Sequence, residues 1–172
     1  MKIYQLIVDL FVKYNFILQD DFLSEADRTF FQSVKMDMPE YVATRAIHKL
    51  SSFLSRYYGK KVIILLDEYD TPMQEAYVNG FWEQLVSFTR SLFNSTFKTN
   101  PFLARGIMTG ITRVSKESIF SDLNNPAVVT TTTNMYTTAF GFTEPEVFAA
   151  LDEYGYGERK EEIKCWYDGF IF

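Results

Sequence analysis

The sequence predicts an α/β fold built on a parallel sheet. Residues 62–66 are five consecutive apolar residues, a pattern typical of a strand that is buried on both faces inside a parallel sheet. A second apolar segment, residues 102–109, follows after a long helical pattern, and a strand, helix and strand in this order predict a right-handed parallel crossover. A chain of 172 residues that is 47% hydrophobic can build the core of one such domain.

Three helices are expected before the first strand. Apolar residues recur at helical spacing over residues 3–18, which predicts an amphipathic helix. Ser24 can cap a short second helix, Pro39 suits the first turn of a third, and Gly59 ends that third helix. His48 lies off the apolar stripe of the third helix, so we expect a surface or hydrogen-bonded histidine and not a ligand.

A polar loop is expected after Pro72, with Asn79 as the cap of the long helix that Asn100 and Pro101 terminate. Aromatic residues lie on both faces of this helix, which predicts that it is covered on more than one side. A short helix is expected near residues 116–123. The β-branched residues 128–133 predict a third strand, or alternatively a loosely held edge.

The clearest local signal comes near the end of the chain. Thr143 and Glu146 form a capping box, with Pro145 in the first turn, so a helix is expected to begin there and to run to about residue 154. A second helix is expected from Glu158. This pattern divides the chain into an α/β core, residues 1–142, and a small helical tail, residues 143–172.

Composition excludes several classes of function. The net charge of −5 and the pI near 4.9 argue against general nucleic-acid binding, which relies on clustered basic residues. One cysteine and one histidine leave no intrachain disulfide and no multi-histidine or Cys/His-rich zinc site. The sequence has neither an apolar run of membrane-spanning length nor the pattern of a signal peptide. We therefore expect a cytoplasmic protein without a membrane partner.

Acidic residues follow the first strand, where ligands bind in open parallel sheets. An apolar strand followed by Asp67 and Glu68 is typical of the second nucleotide motif of one class of nucleoside triphosphatases. Asp67 would hold Mg²⁺ directly or through water, Glu68 would orient or deprotonate the attacking water, and Asp70 could give a third oxygen. Acidic residues at a strand end can also merely cap a loop or the next helix, and that alternative stays open at this point.

Four segments together resemble the AAA-ATPase-like family, a bacterial group of predicted P-loop ATPases. They are VIILLDEYDTP at 62–72, TGITRVSKESIFS at 109–121, FGFTE at 140–144 and WYDGF at 166–170. The resemblance implies an incomplete P-loop-NTPase-type sheet with flanking helices, and residues 143–172 as the start of a helical lid. It implies ATP and Mg²⁺ as cofactors of the full-length protein. Members of the family often continue into a nuclease-like domain of the PD-(D/E)XK type, which these residues lack.

The same resemblance implies roles for residues after the second strand. Thr109 or Thr112 would sense the γ-phosphate, and Arg113 would supply a cation for phosphate charge. A surface ion pair is the alternative for Arg113.

One motif of the family is missing. A phosphate-binding loop needs Gly-x-x-x-x-Gly-Lys followed by Ser or Thr, and the 172 residues contain no Gly-Lys-Ser or Gly-Lys-Thr. Gly59 and Lys60 are followed by Lys61 and by a strand, not by a helix. In the family the loop lies upstream of the matching segment. We therefore expect a truncated domain that binds nucleotide weakly at most and does not hydrolyse ATP alone.

The missing loop has a structural consequence. In this class of ATPase the phosphate-loop strand lies between the sensor strand and the last strand of the sheet. Its loss predicts a gap between residues 102–109 and 128–133, and therefore no backbone ladder between them. The open sheet edge would then favour self-association or pairing with a partner chain.

Two other functions compete with an ATPase fragment. The first is a non-catalytic interaction module that uses the same α/β scaffold. The second is a metal nuclease that uses Asp67 and Glu68, which is disfavoured because Asp70 occupies the place where that chemistry generally needs a lysine.

Overall fold

The computed structural model of the protein describes residues 2–19, 21–111, 123, 126–130, 132–136, 138–139 and 141–167. The chain divides into two compact units, Met1–Asn125 and Pro126–Phe172. The expected domain boundary at residue 142 stays a prediction. Within the described part of the chain, no helix combines the length and the apolar character that a membrane span requires.

The first unit is mostly helical and contains a two-stranded sheet. Its α-helices are α1 Lys2–Lys13, α2 Glu25–Ser33, α3 Glu40–Tyr58, α4 Thr71–Asn79 and α5 Trp82–Phe93. Its strands are β1 Val62–Leu66 and β2 Leu103–Met108. A 3-10 turn, Asn15–Gln19, follows α1, and a π-helical turn, Asn94–Lys98, continues α5. The fold is therefore mixed α/β, as predicted, although its sheet is small.

Local capping signals set several helix ends as predicted. The Ser24 side chain accepts a hydrogen bond from the Asp27 amide at 3.2 Å and so caps α2. Gly59 ends α3 in the left-handed conformation at a φ of 63°. The expected helix over residues 3–18 is shorter than predicted. It ends at Lys13, because the chain turns at Asn15 and places Ile17 in the core with 0% exposure.

The polar loop expected after Pro72 is wrong, because these residues form α4. Pro72 stands in the first turn of α4, where its missing amide hydrogen costs no hydrogen bond, and Gly80 ends the helix at a φ of 76°. Asn79 is the last residue of α4 and not the cap of α5. Its side-chain amide donates to the Glu75 carbonyl at 2.7 Å. The helix is recognised by its two ends, since its own residues carry little apolar periodicity.

Two apolar clusters form the core of this unit. The larger one joins α1, α2 and α3, and its residues are Ile7, Phe11, Ile17, Leu23, Phe31, Val34, Met38, Val42, Ala43, Ala46, Leu50, Phe53 and Phe88. The smaller one contains Met73, Val86 and Phe93, and half-buried Leu66 and Met108 from the sheet pack against it. Helix α5 contributes to both clusters, which confirms that it is covered on more than one side.

The two strands pair in parallel, which confirms the predicted pairing. Leu66 lies opposite Met108 and Leu65 lies opposite Ile107 in the register. Gly106 lets β2 lie close to the π-helical turn after α5, since an added Cβ would be 2.8 Å from the Phe97 ring. Within the described residues the sheet has no further strand.

Two predictions about the sheet are wrong. Strand β1 is not buried on both faces, because Ile63 and Leu65 are 63% and 73% exposed. Residues 128–130, 132 and 133 form no strand, so the expected third strand is wrong for these residues, and the gap expected beside it stays a prediction. A run of threonines without a partner strand or an apolar face has no ladder to hold it extended. The short helix expected near residues 116–123 falls largely outside the described residues.

The second unit contains α6 Glu144–Glu153 and α7 Lys160–Tyr167, with a 3-10 turn, Gly157–Arg159, between them. The capping box is confirmed, because the Glu146 carboxylate accepts from the Thr143 amide and hydroxyl, each at 2.7 Å. These two bonds lower the pKa of Glu146. The ion pair between Lys164 and Glu144, at 2.6 Å, joins the two helices. None of the described residues of this unit is buried.

Candidate functional site

The carboxyl ends of β1 and β2 lie side by side in the first unit. The Thr109 amide donates to the Leu66 carbonyl at 2.9 Å, and the Tyr69 amide donates to the Thr109 carbonyl at 3.1 Å. These bonds extend the pairing one step beyond the sheet. They bring the segment after β1, which carries the acidic residues, against the segment after β2.

Asp67 and Thr109 are in direct contact at this edge. The Thr109 hydroxyl donates to Oδ1 of Asp67, and the Glu68 amide donates to the same oxygen at 3.1 Å. Both side chains are exposed. Among the described residues no donor reaches the second oxygen, Oδ2, of Asp67. The carboxylate is thus oriented through one oxygen and presents the other to solvent.

Glu68 combines an exposed side chain with an unusual backbone. Its φ is 51°, in the left-handed region that a residue with a Cβ rarely adopts. Its carbonyl accepts from the Thr71 amide at 3.1 Å, which closes a tight turn between β1 and α4. The turn leaves the Glu68 carboxylate in solvent beside Asp67.

Asp70 differs from the other two carboxylates because it is 1% exposed. It is the cap residue of α4, and its carbonyl accepts from the Met73 and Gln74 amides at 3.0 and 3.1 Å. Its Oδ2 accepts from the Gln74 side chain at 3.4 Å. The Asp70 side chain also lies close to Gly110, because an added Cβ on that glycine would be 2.7 Å from Oδ1 of Asp70.

The sequence interpretation missed Gly110 and Tyr69. An added Cβ on Gly110 would also lie 2.8 Å from Cε1 of the Tyr69 ring, so the glycine lies close to both the ring and the Asp70 carboxylate. A glycine directly after a strand is a usable signal for a close approach of this kind. Thr112 and Arg113, the other two candidate residues, lie outside the described residues.

The carboxylates after β1 could bind a hard cation such as Mg²⁺ through one or two oxygens, but not enclose it. In the described part of the chain, no group of three or more His, Cys, Asp or Glu side chains is arranged to hold a metal ion. Mg²⁺ needs no such group, because it commonly uses one or two carboxylates and completes its shell with water and phosphate oxygens. An oriented, exposed carboxylate such as Asp67 fits that mode of binding. The described residues do not form a closed site in which protein ligands alone surround the ion.

Comparison with known proteins identifies the family. The family model described as a predicted AAA-ATPase matches residues 10–120. The chain belongs to the AAA-ATPase-like family. The matched segment contains Asp67, Glu68, Asp70 and Thr109, together with Thr112 and Arg113. The resembling segments at 140–144 and 166–170 lie beyond the match.

One relative of the AAA-ATPase-like chain is an uncharacterized protein in the vnfD 5' region of Azotobacter chroococcum mcd 1. It is 27% identical over 113 residues, which are 65% of this chain and 22% of that protein. The chain therefore matches about a fifth of the length of this curated relative. No solved structure matches the chain.

Proposed function

We propose that the chain carries the half of an ATP-hydrolysing site that handles the metal ion and the attacking water. The observation that supports this most directly is the Thr109 hydroxyl on the Asp67 carboxylate, where two parallel strands end together. Polar residues at the ends of neighbouring parallel strands are where an α/β sheet binds ligands. Membership in a family of predicted ATPases supports nucleotide as the ligand.

Each side chain has a distinct role in this proposal. Asp67 would bind Mg²⁺ directly or through water, and the ion when bound neutralises charge on the phosphates. Glu68 would accept the proton of the attacking water as the water oxygen bonds to the γ-phosphorus and the bond to ADP breaks. Thr109 or Thr112 would sense the γ-phosphate, and Arg113 would offset its charge. Asp70 was predicted as a third oxygen donor.

The phosphate-binding half would come from outside these residues. The 172 residues contain no Gly-x-x-x-x-Gly-Lys followed by Ser or Thr, so they offer no backbone cradle of that kind for the phosphates. We expect weak nucleotide binding and no hydrolysis by the chain alone. Adding an upstream segment with a phosphate-binding loop should confer both.

The test compares the chain alone with a version extended upstream through a phosphate-binding loop. The extended protein should hydrolyse Mg²⁺-ATP, and Glu68→Gln should lower kcat by about 10²-fold or more while leaving nucleotide binding intact. Asp67→Asn should weaken the Mg²⁺ dependence. Asp9→Asn, which removes an exposed carboxylate from α1, is the matched control and should change neither. Full activity of Glu68→Gln in the extended protein would refute the proposal.

A second candidate function is supported by a different observation. Ile63, Leu65 and Ile107 expose 63%, 73% and 46% of their surface on one sheet. An apolar sheet face of this kind favours association, and a second copy of the chain is the simplest occupant. Sedimentation velocity over a range of concentrations tests it. Concentration-dependent dimerisation that Leu65→Thr abolishes would support the interaction module, and a monomer at every concentration would exclude self-association.

A further inference from the structure

We infer that Asp70 is a positioning residue, which sets the distance between the two strand ends through Gly110 and so holds Thr109 on Asp67. This inference rests on the proposed function of Asp67 in binding a metal ion. It assigns Asp70 a different role from that of a third oxygen donor. The role follows from where the carboxylate lies.

The first step is burial. Asp70 is 1% exposed, whereas Asp67 and Glu68 are exposed on the same turn. A carboxylate that reaches a hydrated Mg²⁺ ion needs access to solvent, because that ion usually keeps several of its waters. Asp67 meets this requirement and Asp70 does not.

The second step is the contact with Gly110. Oδ1 of Asp70 and the Tyr69 ring lie 2.7 and 2.8 Å from the position of an added Cβ on Gly110. Real Cβ atoms essentially never approach other atoms so closely, so a larger residue at position 110 would force the Asp70 carboxylate and the Tyr69 ring to move. The segment after β2 therefore lies close to both the Asp70 carboxylate and the Tyr69 ring at Gly110.

The third step links this contact to the site. Gly110 directly follows Thr109, whose carbonyl accepts from the Tyr69 amide at 3.1 Å and whose hydroxyl donates to Asp67. Asp70 is fixed in turn by the first turn of α4, where its carbonyl accepts from the Met73 amide at 3.0 Å. Helix α4 thus holds Asp70, and Asp70 with Tyr69 holds the segment that carries Thr109.

The experiment uses the 172-residue chain labelled with ¹⁵N and titrated with Mn²⁺, a paramagnetic probe for the Mg²⁺ site. Wild type should lose the amide signals of Glu68 and Thr109 together, and Asp67→Asn should prevent both losses. Asp70→Asn preserves the shape of the side chain and should keep the wild-type pattern. Asp70→Ala and Gly110→Ala should keep the loss at Glu68 and reduce the loss at Thr109.

Gly106→Ala is the matched control, because Gly106 lies in β2, four residues before Gly110, and its Cβ would be equally close to a ring, 2.8 Å from that of Phe97. It should destabilise the chain and keep the wild-type Mn²⁺ pattern per folded molecule. If Gly110→Ala acted only by destabilising the fold, it would give that same pattern. Loss of Mn²⁺ binding in Asp70→Asn, as in Asp67→Asn, would make Asp70 a ligand and overturn the inference. An unchanged pattern in Gly110→Ala would also overturn it.

Failure of the proposed function gives a different result. If Mn²⁺ leaves the Glu68 signal unchanged in wild type, metal binding by Asp67 in this chain without phosphate is refuted. The positioning role is then judged by hydrogen exchange alone. Gly110→Ala should speed exchange of the Tyr69 and Thr109 amides more than Gly106→Ala does, and equal rates in the two variants would overturn it.

Discussion

The helical bundle and the sheet of the first unit differ in how completely they bury their apolar residues. In the bundle, Phe53 and Ile17 are 0% exposed, and the rings of Phe31 and Phe53 lie 6.0 Å apart. In the sheet, Leu65 is 73% exposed although it stands in the middle of an apolar strand. The two regions have similarly apolar sequences and very different surroundings.

The difference follows from what each kind of element needs. A helix satisfies its backbone hydrogen bonds internally and needs a partner along one stripe only. A strand of a parallel sheet needs neighbours at its edges and cover on both faces. A stretch of chain can therefore contain a well-packed bundle and, beside it, a sheet with one face covered. Four variants test this contrast.

Phe53→Ala should have the largest effect. Removing a fully buried ring from the bundle leaves a cavity and should lower the free energy of unfolding by about 3–5 kcal/mol. Urea denaturation followed by circular dichroism measures it. Leu65→Ala removes an apolar side chain of the exposed sheet face and is the control. Similar losses in the two variants would contradict the contrast.

Gly106→Ala tests the covered face of the sheet. Its Cβ would be 2.8 Å from two atoms of the Phe97 ring, so this face is already closely packed. Overpacking should lower the free energy of unfolding by about 1–3 kcal/mol in the same urea assay. Arg105→Ala, at an exposed neighbouring position, should stay within about 0.5 kcal/mol. A neutral Gly106→Ala would mean that the π-helical turn with Phe97 and the sheet are loosely packed.

Asp27→Asn tests the polar contacts at the edge of the bundle. Asp27 pairs with Arg56 at 3.0 Å and Lys49 at 3.4 Å. Burial raises the pKa of Asp27, but hydrogen bonds from Arg56, Ser24 and Lys49 outweigh it and hold the pKa below its usual 3.8. We expect a loss of about 1–2 kcal/mol at pH 7, since both cations are partly exposed.

The pH dependence of this variant carries a defined sign. The folded-state pKa of Asp27 lies below the unfolded value, so its stabilisation is present above 3.8 and is lost as the pH falls through the lower folded value. Wild type should therefore lose stability more steeply than Asp27→Asn in that window. Glu162→Gln, which removes the exposed pair with Arg159, should change stability little at pH 7. Parallel pH profiles of wild type and Asp27→Asn would disprove the assignment.

The double variant Ile63→Thr and Leu65→Thr should have the smallest effect on folding. Threonine has the β-branched shape that a strand favours, and both positions are more than half exposed. The free energy of unfolding should change by no more than about 0.5 kcal/mol. Thermal unfolding by calorimetry measures it. A large loss would indicate that this face is covered when the chain is folded in solution.

Local signals made much of the fold predictable from the sequence. Ser24, Gly59 and the capping box of Thr143 and Glu146 each act through a few neighbouring residues, so their helix ends were predicted. The pairing of β1 with β2 followed from the order of strand, helix and strand. The contact between Thr109 and Asp67 follows from this pairing together with the position of each residue after its strand.

The features that were missed depend on residues distant in sequence or on the lack of a partner. Ile63 and Leu65 are exposed because no described element packs on their face of the sheet. The residue pattern of the strand itself carries no signal of that. The closeness of Asp70 to Gly110 depends on three-dimensional spacing across 40 residues. Helix α4 was not predicted because its residues lack a clear apolar stripe, although Pro72 and Gly80 mark its ends.

If Glu68 has the proposed role, its left-handed backbone implies a trade between folding and chemistry. Holding a residue with a side chain at a φ of 51° costs about 1–2 kcal/mol that glycine would avoid. A chain optimised for stability alone would carry glycine at this turn. Glu68 instead places a carboxylate at the position in the turn where the backbone favours glycine. Such a compromise is expected where function competes with stability.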